Sequence, residues 1–136
     1  MTGSATTPGG AVVAVFSDSP VGRRFLLLHS AEFPVGEAGD WAWGFPSGCR
    51  EPGEDIDSTA ARELDEETGI SGDLTPVRTH DVAWAIYYLQ VPWGTPVQLA
   101  PGEHNAYEWV DRDGALSRLK PATLVDSFRL VLHAIG

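Results

Sequence analysis

The chain is poor in cysteine, in positive charge and in long apolar runs, and each shortage excludes a class of protein. Cys49 is its one cysteine, so no internal disulfide can form and no cysteine-based metal site is expected. Lys and Arg number 9 against 19 Asp and Glu, a formal net charge of -10 whose field repels a long polyanion such as duplex DNA. No stretch approaches the roughly 18 unbroken apolar residues of a membrane helix. We therefore expect neither a nucleic-acid partner nor a membrane partner.

Length and apolar content predict one packed domain. The chain has 136 residues, of which 43% are hydrophobic, and this suits a single core. Residues 1–10 have no charged side chain and lack both the basic start and the apolar stretch of a signal peptide. We expect a disordered lead-in over residues 1–10, a domain over residues 11–136 and, by default, a cytoplasmic protein.

Short apolar runs and one acidic stretch predict interleaved strands and helices. The predicted strands cover residues 11–16, 25–29, 74–80, 82–91 and 108–110, with a turn over 17–22 and mostly loop over 31–53. Residues 55–68 lack Gly and Pro and carry apolar residues at helical spacing, with Asp55 as N-cap and Gly69 ending the helix. Further helices are predicted over 115–119 and 122–135. The expected fold class is a mixed α/β or α+β domain.

The helix predicted over residues 55–68 is unusually acidic on one face. Glu63, Glu66 and Glu67 stand at i, i+3 and i+4, and like charges at that spacing cost about 0.2–0.5 kcal/mol per pair. Arg62 can offset part of this through Glu66, four residues on. A hard divalent cation would explain the remaining repulsion, because Mg²⁺ and Mn²⁺ prefer carboxylate oxygen. From the helix alone, a solvated acidic surface is the favoured interpretation.

The spacing of the surrounding residues favours the metal site. Gly48, Glu54, Arg62, Glu63, Leu64, Glu66, Glu67, Gly69 and Ile70 fill every fixed position of G-x5-E-x7-R-E-U-x-E-E-x-G-U, where U is aliphatic. This pattern resembles the box of the Nudix hydrolases. The preceding residues 43–48, WGFPSG, are similar to the W-x-x-P-G-G segment of that family, with Ser47 in place of a glycine.

The resemblance implies a fold and a chemistry. The expected fold is a mixed sheet sandwiched between helices. Glu63, Glu66 and Glu67 would bind Mg²⁺, for which Mn²⁺ could substitute, and a backbone carbonyl of Ser47 or Gly48 would add an oxygen ligand. Glu54 would pair with Arg62 and hold the loop against the helix. The implied reaction is attack of a metal-activated water on a diphosphate linkage in a small nucleoside-diphosphate-X substrate, without a covalent nucleophile.

A second cluster, Glu103-His104-x-x-Tyr107-x-Trp109, resembles a segment found in two branches of the family. One branch cleaves dinucleoside polyphosphates and the other cleaves dihydroneopterin triphosphate. Glu103 is the candidate for a further catalytic carboxylate, and an exposed loop carboxylate is the alternative. His104 could contact a phosphate, although a role in the loop is favoured, and Tyr107 and Trp109 are predicted core residues.

Substrate recognition beyond the phosphates stays open at this point. The candidate substrate-binding residues are Trp41, Trp43, Trp84 and Tyr87, which could stack on a base or a pterin, together with Arg50 and His104, which could meet a phosphate. For each aromatic a core position is the favoured alternative, and Arg50 could equally be a solvated arginine. We favour dinucleoside polyphosphates, with dihydroneopterin triphosphate or nucleoside triphosphates as the alternative and a non-catalytic nucleotide-binding module as a remote one. A homodimer is common in the family, but no residue here demonstrates it.

Overall fold

A computed structural model describes residues 8–77 and 83–136, and within them the chain forms a mixed sheet with helices on both faces. The elements in chain order are β1 (Gly10–Ser19), β2 (Gly22–Ser30), β3 (Trp43–Gly44), β4 (Ser47–Cys49), α1 (Ile56–Thr68), β5 (Thr75–Val77), β6 (Trp84–Gln90), β7 (His104–Val110), α2 (Arg112–Arg118) and α3 (Ala122–Ile135). This architecture confirms the predicted fold class.

Strand β1 is the central strand, and this explains its unbroken apolar sequence. It pairs in parallel with β6 and in antiparallel with β2, so both of its faces are covered. Val13 and Val15 face α1, where they pack with Leu64. Ala14 and Phe16 face the opposite way, into the core that α2 and α3 cover. Two hydrophobic cores therefore lie on the two sides of one sheet.

A split in the sheet positions the first part of residues 48–70, the stretch that matches the Nudix pattern. β1 and β2 pair only from Phe16↔Phe25 to Ser19↔Gly22 and then separate. In the gap, β4 pairs with the start of β1, and β3 pairs with the end of β2 at Leu28 and His29. β7 pairs with β2 on its other edge. The segment from β3 to α1 is thereby held where the two strands diverge.

The helix α1 confirms its sequence prediction at both ends. Asp55 accepts a hydrogen bond from the Ser58 N–H at 3.1 Å, and Gly69 ends the helix in the left-handed region at φ 73°. Three other elements extend beyond their predicted bounds. β1 continues through the first half of the predicted turn to Ser19, β7 begins at His104, and α2 begins at Arg112, where Asp111 accepts from the Gly114 N–H.

The prediction of mostly loop over residues 31–53 is confirmed, although two short strands, β3 and β4, of 2 and 3 residues, lie within it. β5 and β6 occupy parts of the predicted strands 74–80 and 82–91, and residues 78–82 lie outside the described part of the chain. Most of the predicted lead-in, residues 1–7, also lies outside it, and Gly10 already belongs to β1. No helix in the described ranges is long and apolar enough to cross a membrane.

Candidate active site

The acidic face of α1 packs against β4 because Ala60 and Leu64, on the neighbouring face, are buried against the sheet. The Ser47 N–H donates to Glu67 Oε1 at 3.0 Å. Glu63 lies against Gly48, so closely that a Cβ built at Gly48 would be 2.0 Å from the Glu63 carboxyl carbon. The structure thus brings Glu63 and Glu67 together at the split of the sheet.

That contact gives a physical reason for glycine at position 48. A Cβ there would also lie 2.3 Å from both carboxylate oxygens of Glu63, well inside ordinary contact. The backbone of Gly48 is not in the left-handed region, so its conformation does not demand glycine. The absence of a side chain serves the placement of the Glu63 carboxylate.

Glu67 is a buried acid, with 4% of its surface exposed. The pKa of its carboxyl group is raised to about 9, mainly by burial and in part by the neighbouring Glu63 and Glu103, whereas the Ser47 N–H opposes the rise. Ionised Glu67 would therefore be repelled by the negative charges of Glu63 and Glu103. A bound cation would relieve that repulsion and restore the charged form of Glu67.

Arg62 organises the loop around these carboxylates. Its guanidinium binds both Glu54 oxygens, at 2.7 and 3.0 Å, and donates to the Cys49 carbonyl at 3.0 Å. It also donates to Glu63 Oε1 at 2.8 Å and to Glu66 Oε2 at 3.3 Å. The Arg62 guanidinium, together with the Glu51 N–H, lowers the pKa of Glu54 to about 2. The structure thus places Glu54 and Arg62 where they tie the loop to the helix.

The donor set fits a hard divalent cation in its chemistry. All its candidate ligands are oxygen atoms, and the buried Glu67 carboxyl group, with its raised pKa, lacks a compensating positive charge. Among the described residues, however, no three acidic, histidine or cysteine side chains surround one point as a preformed metal site. One reason is that Glu63 Oε1 is occupied by Arg62, and Glu66, with 54% of its side chain exposed, also turns toward Arg62.

The register of β4 distinguishes the two candidate carbonyl ligands. Val13 N–H donates to the Pro46 carbonyl at 2.9 Å, and Ser47 and Gly48 follow along the ladder. Bonded and non-bonded pairs alternate in an antiparallel ladder, so Gly48 falls in a bonded pair and Ser47 in a non-bonded one. The Ser47 carbonyl is therefore turned away from β1 and is the one that the ladder leaves for a ligand.

A cavity of about 700 Å³ adjoins the carboxylates through Ser47, which lines it. Its wall is mainly apolar and comes from β1, β2, β3, β6 and α3, together with the loop before β3. Trp41 and Trp84 line it with 60% and 37% of their surfaces exposed. Trp43 also lines it but is almost fully buried, with its ring 4.7 Å from that of His29. Trp41 and Trp84 are thus the aromatic side chains placed to meet a planar ligand.

Tyr87 lies elsewhere, which corrects its assignment as a stacking residue. It is buried in the core beneath α1, does not line the cavity, and donates its hydroxyl hydrogen to Asp57. Burial and that carboxylate raise the pKa of Tyr87. Arg50 donates to the Pro8 and Glu54 carbonyls at 3.3 and 3.2 Å, so its guanidinium braces the loop.

The residues from Glu103 to Trp109 lie in different surroundings, and only some of them reach the cavity. His104 lines the cavity, its Nδ1 is buried without a hydrogen-bond partner among the described residues, and burial lowers its pKa. Tyr107 is 41% exposed, so its prediction as core was wrong. Trp109 packs edge-on against Trp93 at 5.8 Å and against the core beneath α1.

A buried hydrogen-bond network holds the loop that carries Trp41. His29 is fully buried, and its ring nitrogens lie 2.7 Å from Asn105 Oδ1 and 2.8 Å from the Glu37 carbonyl. Asn105 Nδ2 donates to the Phe33 carbonyl at 2.8 Å. The Ala31 N–H donates to the Glu103 carbonyl at 2.9 Å. Together these bonds fix the loop relative to the start of β7.

Sequence reasoning missed the contribution of α3 to the cavity. Thr123, Asp126, Ser127 and Leu130 line it. Leu130 is 40% exposed. The spacing of these residues at i, i+3, i+4 and i+7 marks one face of a helix. That periodicity was visible in the sequence, but nothing local showed that the face borders a cavity.

Comparison with known proteins identifies the family. The family model described as the NUDIX domain matches residues 7–130, so the chain belongs to the Nudix family. Over 105 residues it is 36% identical to the asymmetrical bis(5'-nucleosyl)-tetraphosphatase of Sus scrofa, covering 68% of this chain and 67% of the relative. Over 107 residues it is 33% identical to nucleoside diphosphate-linked moiety X motif 6 of Mus musculus, covering 68% of this chain. The match spans 34% of that longer relative.

A solved structure gives the same fold. The binary complex of a C. elegans Ap4A hydrolase superposes with a TM-score of 0.73 over 93% of this chain and 97% of that chain, at 22% identity. At this identity the likeness shows the fold alone.

Proposed function

We propose that this chain is a metal-dependent pyrophosphohydrolase that cleaves a diphosphate linkage in a small nucleoside-diphosphate-X substrate, with dinucleoside polyphosphates as the preferred class. One observation carries the proposal. Glu63 and Glu67 meet at β4 beside a cavity of about 700 Å³, and Ser47 belongs to both, since it binds Glu67 and lines the cavity. A phosphate chain leaving a base in the cavity would pass directly over the carboxylates.

The proposed ligands of the metal are Glu63, Glu66, Glu67 and the Ser47 carbonyl. A divalent cation, which we propose is Mg²⁺ with Mn²⁺ as a substitute, would neutralise phosphate charge and lower the pKa of a water molecule. Such neutralisation matters here because no Lys or Arg of the described residues lines the cavity. Arg62 would hold Glu63 and Glu66 in place through its contacts with both.

Glu103 is the proposed general base. It acts electrostatically on Glu67, and its own backbone carbonyl is fixed by the Ala31 N–H at 2.9 Å, so its segment is held near the carboxylates of α1. A carboxylate so placed could accept the proton of the attacking water. Trp41 and Trp84 would contact the base by stacking, and His104 would contact the part of the substrate nearest Glu103.

Two observations bear on the substrate class. The relative in Sus scrofa carries the name of a dinucleoside tetraphosphatase, which favours dinucleoside polyphosphates. The second candidate is dihydroneopterin triphosphate or a nucleoside triphosphate, because the cavity as a whole would also hold one pterin or one nucleoside. A cytoplasmic location and a homodimer remain further proposals.

Product analysis tests the proposed function. The protein is incubated with Mg²⁺ and, separately, diadenosine tetraphosphate, dihydroneopterin triphosphate or a nucleoside triphosphate, and products are separated by chromatography. We expect asymmetric cleavage of diadenosine tetraphosphate to ATP and AMP, and no cleavage by the Glu67→Gln variant prepared in parallel. Pyrophosphate release from the other substrates alone would move the preference to the second candidate. Absence of cleavage across the panel with both Mg²⁺ and Mn²⁺ would contradict the proposal.

A further inference from the structure

Helix α3 adds a polar strip to a cavity that is otherwise mainly apolar. Thr123, Asp126 and Ser127 line it side by side, at i, i+3 and i+4 on one helix face. Opposite them lie apolar residues of the sheet, among them Val12 and Ile86. Polar groups that are few and placed together in an apolar pocket are the usual means of orienting a ligand.

Asp126 is the one carboxylate among the described residues that line this cavity. It forms no ion pair with any described residue. Arg129 stands three residues further along α3, a spacing at which acidic and basic side chains often pair, yet the two do not. Asp126 and Thr123 are solvent-exposed, so Asp126 presents two acceptor oxygens at the open side of the cavity, next to the Ser127 and Thr123 hydroxyls, which can donate.

The pattern of donors along a base edge decides which base suits such a wall. Guanine offers two adjacent N–H groups, on N1 and on the 2-amino nitrogen, beside a carbonyl oxygen. A carboxylate can accept both hydrogens while a hydroxyl donates to the carbonyl. Adenine and cytosine offer one amino donor beside a ring nitrogen whose lone pair would face the carboxylate. Uracil offers a single N–H between two carbonyls.

We propose that Asp126 makes the cavity selective for a 2-amino-4-oxopyrimidine edge, the group shared by guanine and by pterins. The cavity is assigned to the base only under the proposed function, so this selectivity rests on it. Ser127 and Thr123 complement the edge by donating to its carbonyl oxygen. Trp41 and Trp84, exposed in the same cavity, stack on the ring that carries it.

Equilibrium binding tests the assignment without any catalytic step. GMP and AMP are titrated in EDTA, with quenching of tryptophan fluorescence as the readout, into the wild type, Asp126→Asn and Asp113→Asn. Asp113 is a matched control because its side chain is 84% exposed on α2, away from the cavity. We expect GMP to bind at least about tenfold more tightly than AMP, because a hydrogen bond to a charged group contributes this much or more.

In Asp126→Asn the preference for GMP should disappear, because the ratio of GMP affinity to AMP affinity falls about tenfold or more. Asp113→Asn should keep the wild-type ratio. Equal binding of GMP and AMP by the wild type, or a ratio that Asp126→Asn leaves unaltered, would overturn the assignment. The ratio is used because removal of a negative charge raises the affinity for both nucleotides alike.

Turnover measurements then distinguish guanine from a pterin as the group that carries the 2-amino-4-oxopyrimidine edge. Diguanosine tetraphosphate, diadenosine tetraphosphate and dihydroneopterin triphosphate are compared by kcat/KM in the wild type and Asp126→Asn. Preference for the diguanosine compound assigns the edge to guanine, and preference for the pterin assigns it to a pterin. If GMP selectivity is observed but nothing is hydrolysed, the proposed function fails and the role of Asp126 stands. If diguanosine and diadenosine compounds are hydrolysed equally by both proteins, the role of Asp126 is overturned and the proposed function stands.

Discussion

Replacing Gly48 by alanine should separate catalysis from stability. The new methyl carbon would lie 2.0 Å from the Glu63 carboxyl carbon, whereas ordinary contact begins at 3.4 Å, so the carboxylate must retreat by about 1.4 Å. A displacement of about 1 Å in a catalytic group can cost on the order of a hundredfold in rate. We therefore expect kcat/KM for the preferred substrate in saturating Mg²⁺ to fall at least about a hundredfold.

The stability of the same variant should change little. Glu63 is a flexible side chain that can swing away, and Gly48 lies in β4 with a backbone conformation that alanine also adopts. Alanine for glycine at such a position favours folding by about 0.4–1 kcal/mol through the unfolded chain. We expect the free energy of unfolding in urea, without metal, to lie within about 1 kcal/mol of the wild type.

Two controls define the result. Gly9→Ala adds a methyl group whose nearest neighbour is 3.9 Å away, so its activity should equal that of the wild type. In a double-mutant cycle, Gly48→Ala should add little to the loss caused by Glu63→Gln, because both act on the same carboxylate. Wild-type activity in Gly48→Ala, or additive losses in the cycle, would refute the role assigned to the contact between Gly48 and Glu63.

Three further predictions concern buried or paired polar groups. Glu67→Gln should abolish turnover without destabilising the metal-free fold. The wild type should lose stability as pH rises from 4.5 to about 9, because native Glu67 retains a proton there that the unfolded chain has released, and the variant should not show this loss. Urea unfolding as a function of pH measures both effects, and a destabilised variant would contradict the prediction. The wild type should gain stability as pH rises from about 2 to 4.5, because native Glu54 is ionised there while Glu54 in the unfolded chain is protonated. Glu54→Gln should flatten this rise, and an acid-unfolding curve identical to that of the wild type would count against the ion pair with Arg62. Asn105→Ala should lower the free energy of unfolding by about 1–3 kcal/mol, since His29 Nδ1 and the Phe33 carbonyl each lose a buried partner; a loss in urea below the error of the measurement would contradict it.

The sequence predicted α1 well because everything that defines it is local. Its cap, its periodicity and its C-terminal glycine lie within 15 residues, Asp55 to Gly69. The common face of Glu63 and Glu67 also follows from spacing alone. The short strands β3 and β4 carry no such signal. They exist because β1 and β2 diverge and leave edges to be paired, which is a property of the whole sheet.

For the candidate base-binding aromatics, the alternation of side chains along a strand is informative at one pair of residues and not at the other. Trp84 and Tyr87 are three residues apart in one strand, so their side chains point to opposite faces and could not both line one cavity. Trp41 and Trp43, by contrast, both line the cavity, yet only Trp41 is exposed, and the difference comes from long-range packing of Trp43 against His29. Long-range packing also explains why the sequence did not single out Asp126, because its proposed role depends on which elements face α3.

The central proposal is that the carboxylates of α1 bind the metal that hydrolysis requires. Its most direct test is the Mg²⁺ dependence of diadenosine tetraphosphate cleavage in the wild type, Glu63→Gln and Glu67→Gln. Products are separated by chromatography, and urea unfolding verifies that each variant is folded. We expect EDTA to stop cleavage by the wild type and Mg²⁺ to restore it. Both variants should be folded and at least about a hundredfold slower at every Mg²⁺ concentration. Cleavage that persists in EDTA, or a Glu67→Gln protein with the wild-type rate and Mg²⁺ dependence, would contradict the assignment of these carboxylates to the metal.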